Sequence, residues 1–318
     1  RLGRARAALD NLAALLSKFD ADDDGAIAQA FAGYCDALGQ TAPQGRQRWL
    51  QRRVAWHRLR AARRFADHKV YRNCSDIAVQ TAFRQFLAIV RQPGLTELRA
   101  CLDHLPALVR RPDLCFLKRG NTCTVMACPL DGRDRVIKRY NIKSFWHALS
   151  RAWRPSRAAR SWSNAHRLGM LGIETARPLA LVESRWGPLR GKAYFFSDQV
   201  PGRDARVLFD DTQVSMETRR QVASAIAAML HKLWRLGLVH GDLKAGNILV
   251  TADGRPVMLD LDAMFEARCR WQLRRGHVRD LRRWMKNWQD APQTAELMQA
   301  ALKAVYQNDD ILRAAGIV

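Results

Sequence analysis

The segment from His240 to Asp262 restricts the fold of this chain more than any other part of its sequence. It begins His-Gly-Asp-Leu-Lys-Ala-Gly-Asn, and two short apolar stretches follow, Ile248-Leu-Val250 and Pro256-Val-Met-Leu259. Short apolar runs between polar residues are typical of buried strands. The segment therefore predicts a tight polar loop followed by a hairpin that brings Asp260 next to the loop.

The residue types in this loop suit the transfer of a phosphoryl group. Asp242 precedes Asn247 by five residues and Asp260 lies on the next hairpin, which is the spacing of a kinase-like catalytic loop. Asp242 is expected to accept the proton of an acceptor hydroxyl or to orient that hydroxyl for in-line attack. Asn247 and Asp260 are hard oxygen ligands that can hold Mg²⁺ against nucleotide phosphates. Lys244 is placed to neutralise the γ-phosphoryl group during transfer.

Two interpretations of the motif stay open. Asp262 either helps to hold the metal or caps the segment that follows it. In a purely structural interpretation, His240 and Asp242 satisfy backbone groups of a buried turn and Asn247 caps that turn. The complete spacing, with apolar residues on both sides, favours the catalytic interpretation.

A nucleotide also requires a lysine on a neighbouring strand, and Lys138 meets that requirement. It lies in the apolar run Val136-Ile-Lys-Arg-Tyr140, which follows Asp131-Gly132, a dipeptide typical of a hairpin turn. Gly120 lies about where a glycine-rich loop would cover the phosphates. These positions predict a binding site for ATP.

Residues 1–110 predict an all-helical region. Apolar residues recur there at intervals of three and four, for example from Leu9 to Phe19 and from Phe83 to Val90. Residues 1–40 also resemble the helical segments that follow Asp280. This similarity is interpreted either as chance between two amphipathic helices or as the tail of a preceding kinase-like domain.

Residues 111–318 predict one α+β domain. Short strand-like runs begin at about residue 114, and Val200-Pro-Gly202 then breaks the chain as a hinge would. A long amphipathic helix at about Thr218 to Leu236 opens the second half. The order is a small sheet at about 114–200 and a helical part at about 203–318.

These residues resemble the lipopolysaccharide kinase (Kdo/WaaP) family of the protein-kinase-like superfamily, especially its inner-core heptose kinases. The resemblance covers roughly residues 114–306. It rests on Val136-Ile-Lys-Arg-Tyr140, the basic and aromatic run from Ser150 to His166, Leu171-Gly-Ile-Glu-Thr175 before Arg177-Pro-Leu-Ala180, the His-Gly-Asp loop and Leu259-Asp-Leu-Asp262. It implies a bilobal kinase fold, with a small antiparallel-sheet lobe and a helical lobe. It also implies the use of ATP and Mg²⁺ to phosphorylate a heptose or Kdo hydroxyl of lipopolysaccharide core.

One feature departs from the kinase pattern. The stretch from Asn141 to Ile173 contains no Asp or Glu, so the helix carboxylate that should pair with Lys138 is absent. Ser161 or Asn164 occupies that stretch. Lys138 is then expected to be held by a neutral hydrogen bond or by a carboxylate from elsewhere, such as Glu183. A catalytically weak pseudokinase or scaffold in lipopolysaccharide assembly is therefore an alternative.

The acceptor is expected to be a small molecule or a glycan. Gly241 stands where regulated protein kinases carry the arginine that grips a phosphorylated activation loop, and no Ala-Pro-Glu follows Asp262. Another small-molecule kinase or an atypical protein kinase is the alternative within the enzyme class.

The net charge predicts a polyanionic partner. The chain has 53 Lys and Arg against 30 Asp and Glu, a formal charge of +23. The basic and aromatic stretch at residues 46–72 suits nucleic acid, but no helix-turn-helix, zinc-finger or RRM motif accompanies it. An anionic membrane surface, or the phosphates of lipid A and core sugars, explains the same charge, so no specific nucleic acid is expected. The arginines predicted to face that surface are Arg151, Arg154, Arg157 and Arg160.

The sequence further predicts a cytoplasmic protein at the periphery of the inner membrane. No apolar run approaches the ~20 residues of a membrane span. The seven cysteines are odd in number and form no C-x-x-C pair, which favours reduced thiols. We also expect no secretory leader, since the first residues show no charged stretch followed by an apolar one.

Overall fold

The structure is a computed structural model that describes residues 2–19, 24–39, 44–120, 122–141, 154–187, 189–307 and 310–317. Its helices are α1 (Leu2–Leu16), α2 (Asp24–Ala37), α3 (Gln44–Asp67), α4 (Thr96–Asp103), α5 (Leu105–Leu108), α6 (Arg157–Met170), α7 (Ala205–Asp210), α8 (Met216–Arg235), α9 (Arg270–Lys286), α10 (Pro292–Tyr306) and α11 (Asp310–Ala315). Its strands are β1 (Ile77–Ala82), β2 (Gln85–Val90), β3 (Cys115–Arg119), β4 (Cys123–Leu130), β5 (Arg133–Tyr140), β6 (Pro178–Trp186), β7 (Leu189–Asp198), β8 (Arg203–Asp204), β9 (Leu238–Val239), β10 (Ile248–Val250), β11 (Pro256–Met258) and β12 (Phe265–Glu266).

Seven strands form one antiparallel sheet in the order β1-β2-β6-β7-β5-β4-β3. The predicted turn at Asp131-Gly132 joins β4 to β5, and both residues have positive φ, 53° and 69°. Positive φ at both central residues is what a two-residue hairpin turn of type I′ requires. This turn fixes the register that places Lys138 opposite Val125.

The prediction that residues 1–110 are all helical is wrong for residues 77–90, which form the hairpin β1–β2 and extend the sheet beside β6. The reason is that β2 is buried on both faces. Phe86 and Ala88 pack into the core shared with the helical half, whereas Leu87 and Ile89 pack under α4 and α5. A strand buried on both sides shows a continuous apolar run, and such a run does not reveal the two-residue period of a strand.

The sheet and the helices C-terminal to it form the two lobes of a kinase-like α+β fold, as the sequence predicted. α6 packs between the sheet and the helical lobe, with Trp162 fully buried in the shared core. α8 begins with a Ser215 cap, whose hydroxyl accepts a hydrogen bond from the Thr218 N–H at 3.1 Å. Gly202, at the predicted hinge, lies so close to β10 that a Cβ would approach the Val250 carbonyl oxygen to 2.9 Å.

The helices α1–α3 have a small core of their own and are tied to the rest of the protein by α3. Arg63 pairs with Glu266, and Asp67 pairs with Arg167 at 2.5 Å. Arg53 pairs with Asp10 within the helical region. Arg53 and Arg63, in the basic stretch at residues 46–72, therefore form ion pairs with neighbouring elements of the protein. Among the described residues, no helix is both long and apolar enough to cross a membrane.

Two packed histidines make the stability of the fold sensitive to acid. His277 is buried beside the Tyr306 hydroxyl at 2.6 Å, and burial lowers its pKa to about 3. His166 packs edge-on against Trp162 with Nε2 unpaired, and burial lowers its pKa to about 4. Both imidazoles are therefore neutral in the folded protein at a pH where the unfolded chain binds protons.

We expect the free energy of unfolding to fall as the pH decreases from 6.5 towards 4. An imidazole with a folded-state pKa below its unfolded value contributes stability above the unfolded pKa, and that stability is lost on acidification. His166→Phe should flatten the decline by roughly 1.4 kcal/mol per pH unit below 6.5. Urea titrations at several pH values measure this pH dependence of the free energy of unfolding. His104→Gln is the control, because His104 is exposed. Parallel curves for His166→Phe and the unmutated protein would contradict this assignment.

Candidate active site

The polar loop predicted at residues 240–247 lies between β9 and β10, with β11 beside it. His240 is fully buried and orders the loop through both ring nitrogens. Its Nδ1 accepts a hydrogen bond from the Asp242 N–H at 3.3 Å, so its Nε2 donates to the Leu259 carbonyl oxygen at 3.0 Å. The Asn247 carbonyl in turn accepts from the Leu259 N–H at 2.8 Å. These bonds hold the loop next to the segment that carries Asp260.

Gly241 lies where the loop approaches other backbone most closely. Its φ is +83°, and a Cβ at this position would lie 2.6 Å from the Ala263 carbonyl oxygen. Its N–H donates to both carboxylate oxygens of Asp280, at 2.9 and 3.1 Å. Asp280 is buried on the inner face of α9, and burial raises the pKa of its carboxyl group. Asp280 thus anchors the loop to α9.

Asp242 holds its carboxylate at the surface of the cleft between two cations. Its Oδ1 accepts a hydrogen bond from Arg283 Nη1 at 2.5 Å, and its Oδ2 lies 3.4 Å from Lys244 Nζ. Asn247 fixes the backbone below it, because its Nδ2 donates to the Asp242 carbonyl oxygen at 2.8 Å. The Asp242 side chain remains 38% exposed, which leaves it accessible to a substrate hydroxyl.

Lys138 reaches from β5 to the helical lobe and pairs with Asp260. Its Nζ lies 2.5 Å from Asp260 Oδ1, and both side chains are largely buried. Burial acts to raise the pKa of Asp260, but the positive charges of Lys138, Arg157 and Lys244 together hold that pKa below its ordinary value. Asp260 has a left-handed backbone, with φ 57° and ψ 54°, a conformation that Asp tolerates better than most residues.

Asp262 is buried beside this pair and is held by Arg157, from the first turn of α6. Its Oδ2 accepts from Nε at 2.9 Å and lies 2.7 Å from Nη2. Burial, followed by the negative charge of Asp260, raises the pKa of Asp262. Arg157 is therefore turned into the site. The prediction that it faces a membrane with its neighbours is wrong, and Arg151 lies outside the described residues.

The carboxylate partner of Lys138 is Asp260, which corrects the sequence interpretation. Glu183 is buried, but its partners are Ser156, at 2.6 Å, and two arginines of β6 and β7. Ser161 shares a hydrogen bond with the Tyr140 hydroxyl at 2.8 Å. Asn164 donates to the Leu261 and Met264 carbonyl oxygens at 2.9 and 3.0 Å. Helix α6 therefore binds the loop after Asp260, and Lys138 pairs with Asp260 and not with a residue of α6.

Asp260 and its neighbours offer oxygens of the kind that Mg²⁺ takes as ligands. Asn247 donates through Nδ2, so its Oδ1 is an acceptor, and Asp260 uses only Oδ1 for Lys138. Within the described residues, no three or more His, Cys, Asp or Glu side chains form a cluster able to hold a metal. A nucleotide-bound Mg²⁺ needs fewer protein ligands than such a cluster supplies, since it takes one or two carboxylates, and phosphate oxygens and water complete its coordination. Asn247, Asp260 and Asp262 fit that requirement.

Gly120 directly follows β3, before the turn to β4. Its N–H donates to the Cys123 carbonyl oxygen at 3.1 Å, and a Cβ would approach that oxygen to 3.0 Å. Asn141, after β5, donates to the Gly120 carbonyl oxygen at 3.2 Å. The turn is therefore tight, and its role as a phosphate cover stays a prediction.

Three residues that shape the site were not assigned to it from the sequence: Arg157, Asp280 and Arg283. Arg157 was interpreted as part of a surface stripe. Arg283 has no local signal, because it lies 41 residues after Asp242. Asp280 does have a signal in the local sequence, since it is the only acidic residue between Glu266 and Asp290 and lies on the apolar side of a basic helix. A lone carboxylate on such a face indicates a buried polar contact.

Comparison with known proteins places this arrangement in a family. The sequence model of the lipopolysaccharide kinase (Kdo/WaaP) family matches residues 117–306, well over half of the chain. The match runs from β3 to the end of α10 and includes every residue of the site described above. A search of curated proteins finds no match.

Gly241→Ala should destabilise the protein far more than Gly237→Ala. Both glycines have positive φ, +83° and +74°, but only at Gly241 does a Cβ meet backbone, whereas at Gly237 nothing lies within 4 Å. We expect a loss of about 1 kcal/mol for Gly237→Ala from backbone strain alone. For Gly241→Ala we expect roughly 3 kcal/mol or more, because strain and overpacking add. Chemical denaturation measures both, and equal losses would contradict the close approach.

Proposed function

Because the chain belongs to the lipopolysaccharide kinase (Kdo/WaaP) family, we propose that it transfers the γ-phosphoryl group of ATP to a heptose or Kdo hydroxyl of the lipopolysaccharide inner core. The family assignment makes the chain a phosphotransferase. The observation that carries the proposal is the group formed by Asp242, Asn247, Asp260 and Lys138, which combines a base, oxygen ligands and a phosphate-binding cation in one cleft.

The nucleotide site is proposed between β5 and the segment after β11. Lys138 would bind the α- and β-phosphates, and Asn247, Asp260 and Asp262 would hold Mg²⁺. Magnesium, when bound, shields the charge of the β- and γ-phosphate oxygens. The Lys138–Asp260 pair supports this placement, because a triphosphate and a magnesium ion offer each member an opposite charge. Gly120 is proposed at the edge of this site.

Asp242 is proposed to act on the acceptor. Its carboxylate takes the proton of the sugar hydroxyl while that oxygen attacks the γ-phosphorus and the bond from the γ-phosphorus to the β,γ-bridging oxygen breaks. ADP leaves with the bridging oxygen, and the proton passes from Asp242 to solvent. Arg283 and Lys244 hold the carboxylate from two sides, so its direction is fixed before the acceptor binds. Lys244 also neutralises the transferred group.

An active enzyme is favoured over a pseudokinase scaffold. The sequence argument for weak activity was the missing helix carboxylate, and in the fold Lys138 has Asp260 instead. The base, the amide ligand and both carboxylates are present together. We further propose that the protein acts in the cytoplasm, at the inner face of the inner membrane, where the acceptor's lipid A anchor lies.

The test is phosphate transfer from γ-labelled ATP and Mg²⁺ to a panel of purified acceptors: heptose-containing and Kdo-containing lipopolysaccharide cores, an aminoglycoside and a model protein. We expect transfer to a core sugar, with Asp242→Asn reducing kcat by about 10³-fold or more. Retained stabilisation of Asp242→Asn by Mg²⁺-ATP in a thermal-shift titration controls for folding.

Other outcomes would overturn parts of the proposal. Transfer only to the aminoglycoside or to protein would replace the acceptor and keep the kinase. Turnover by Asp242→Asn at the unmutated rate would remove the aspartate from catalysis. Absence of transfer to every acceptor, together with unchanged melting on addition of Mg²⁺-ATP, would favour the scaffold.

A further inference from the structure

Helix α9 presents an outer face that is almost entirely cationic. Its exposed residues are Arg270, Trp271, Arg274, Arg275, Arg279, Arg282, Arg283 and Lys286. Every one except Trp271 carries a positive charge. The only acidic residue of the helix, Asp280, is turned inward and bound to the Gly241 N–H. No solvated helix needs so one-sided a surface for its own stability, since like charges three and four residues apart repel.

Little of this charge is neutralised within the protein. Arg274 pairs with the exposed Asp310 at 3.1 Å, and Arg283 pairs with Asp242. Arg282 donates to the Ala314 carbonyl oxygen, which leaves its charge uncompensated. Among the described residues, no acidic side chain pairs with the other basic residues of the face: Arg270, Arg275, Arg279 and Lys286.

The exposed aromatic residue on this face is Trp271, in the first turn of the helix. It is 67% exposed, and the guanidinium of Arg275 lies over its ring at 5.3 Å. An open depression of about 510 Å³ lies beside it and is lined by Trp271 and four of the arginines. Tryptophan next to arginine is the combination that suits the boundary between lipid headgroups and acyl chains.

The face leads to the catalytic cleft. Arg275, Arg279 and Arg283 lie four residues apart, so they form one row along the helix. With a rise of 1.5 Å per residue, the row from Trp271 to Arg283 extends for about 18 Å. It ends at the carboxylate of Asp242. A partner bound along this row therefore lies beside the position of the acceptor hydroxyl.

We propose that the outer face of α9 docks the enzyme on an anionic phospholipid bilayer, chiefly through Trp271, Arg275, Arg279 and Arg282. Charge complementarity selects an anionic surface, and Trp271 selects a lipid surface over a nucleic acid. Docking orients the Asp242 cleft towards the membrane in which the acceptor is anchored. That last consequence depends on the proposed lipopolysaccharide kinase function, whereas binding to the bilayer does not.

The primary test is co-sedimentation of the full chain with vesicles of phosphatidylglycerol and phosphatidylethanolamine. Arg275→Gln/Arg279→Gln should lower the partition coefficient by about 10- to 30-fold at 0.1 M salt. The matched control is Arg99→Gln/Arg110→Gln, which removes the same charge from exposed positions in and after the helices on the opposite face of the sheet. It should bind like the unmutated protein. Binding should also fade at 1 M salt, where the Debye length falls to ~3 Å.

Trp271→Ala tests the lipid part of the proposal. It should weaken vesicle binding about 5- to 10-fold, because an interfacial indole is lost while every charge remains. Trp186→Ala is the control, since Trp186 is equally exposed, 67%, at the end of β6. It should have no effect.

Several results would overturn the proposal. Equal losses in the α9 and control variants, or equal sedimentation with phosphatidylcholine vesicles, would show that no specific anionic docking face exists. Tighter retention on duplex DNA than on anionic vesicles at 0.15 M salt, lost in Arg275→Gln/Arg279→Gln, would assign the face to nucleic acid.

An activity measurement separates this proposal from the proposed function. The α9 double variant should raise the KM for vesicle-held lipopolysaccharide at least fivefold relative to its KM for delipidated core oligosaccharide. An unchanged KM ratio in a variant that no longer binds vesicles would show that docking does not present the acceptor. Vesicle binding without any phosphate transfer would keep the docking face and refute the kinase function.

Discussion

The ion pair between Lys138 and Asp260 is the contact on which the rest of the site depends. It joins the central part of the sheet to the segment after β11, and it does so with two largely buried side chains at 2.5 Å. Removing one member of a buried pair typically costs about 3–5 kcal/mol, because the other charge is left without compensation. Asp262 adds a second negative charge, and Arg157 balances it from α6. One cation from β5 and one from α6 thus match the two carboxylates of the segment after β11.

This arrangement explains how the fold manages without a carboxylate on α6. The helix contributes the opposite charge, an arginine, and uses Asn164 to bind the carbonyls that follow Asp260. Its position is therefore linked to the conformation of the loop that carries the proposed metal ligands. Lys138 has no carboxylate partner on α6 and pairs directly with Asp260. In the proposed complex, Lys138 would bind the nucleotide phosphates and Asp260 would hold the Mg²⁺ bound to them.

Helix α9 positions the loop that carries Asp242, and its side chains point in three directions. Asp280 points inward and fixes the Gly241 N–H, Arg283 points sideways and holds Asp242, and the remaining arginines point outward. A single rigid element therefore positions the proposed base and presents the face proposed to dock on a membrane.

The sequence predicts correctly those features that depend on residues close together in the chain. The loop spacing, the turn at Asp131-Gly132 and the lysine of β5 each depend on residues close together in the chain. The hairpin β1–β2 was missed because its second strand, β2, is buried on both faces. Contacts across long sequence separations were also missed: Arg157 with Asp262 is separated by 105 residues and Arg283 with Asp242 by 41. Neither is visible until the sheet and helices pack.

The nucleotide role of the Lys138–Asp260 pair is tested most directly by titration calorimetry of Mg²⁺-ATP with the unmutated protein and with Lys138→Met. We predict Mg²⁺-dependent binding that weakens about 10- to 100-fold in the variant, since a charge-assisted contact to phosphate is lost. Circular dichroism confirms that the variant is folded. Equal affinity in the folded variant, or binding of ATP that is independent of Mg²⁺, would contradict the account.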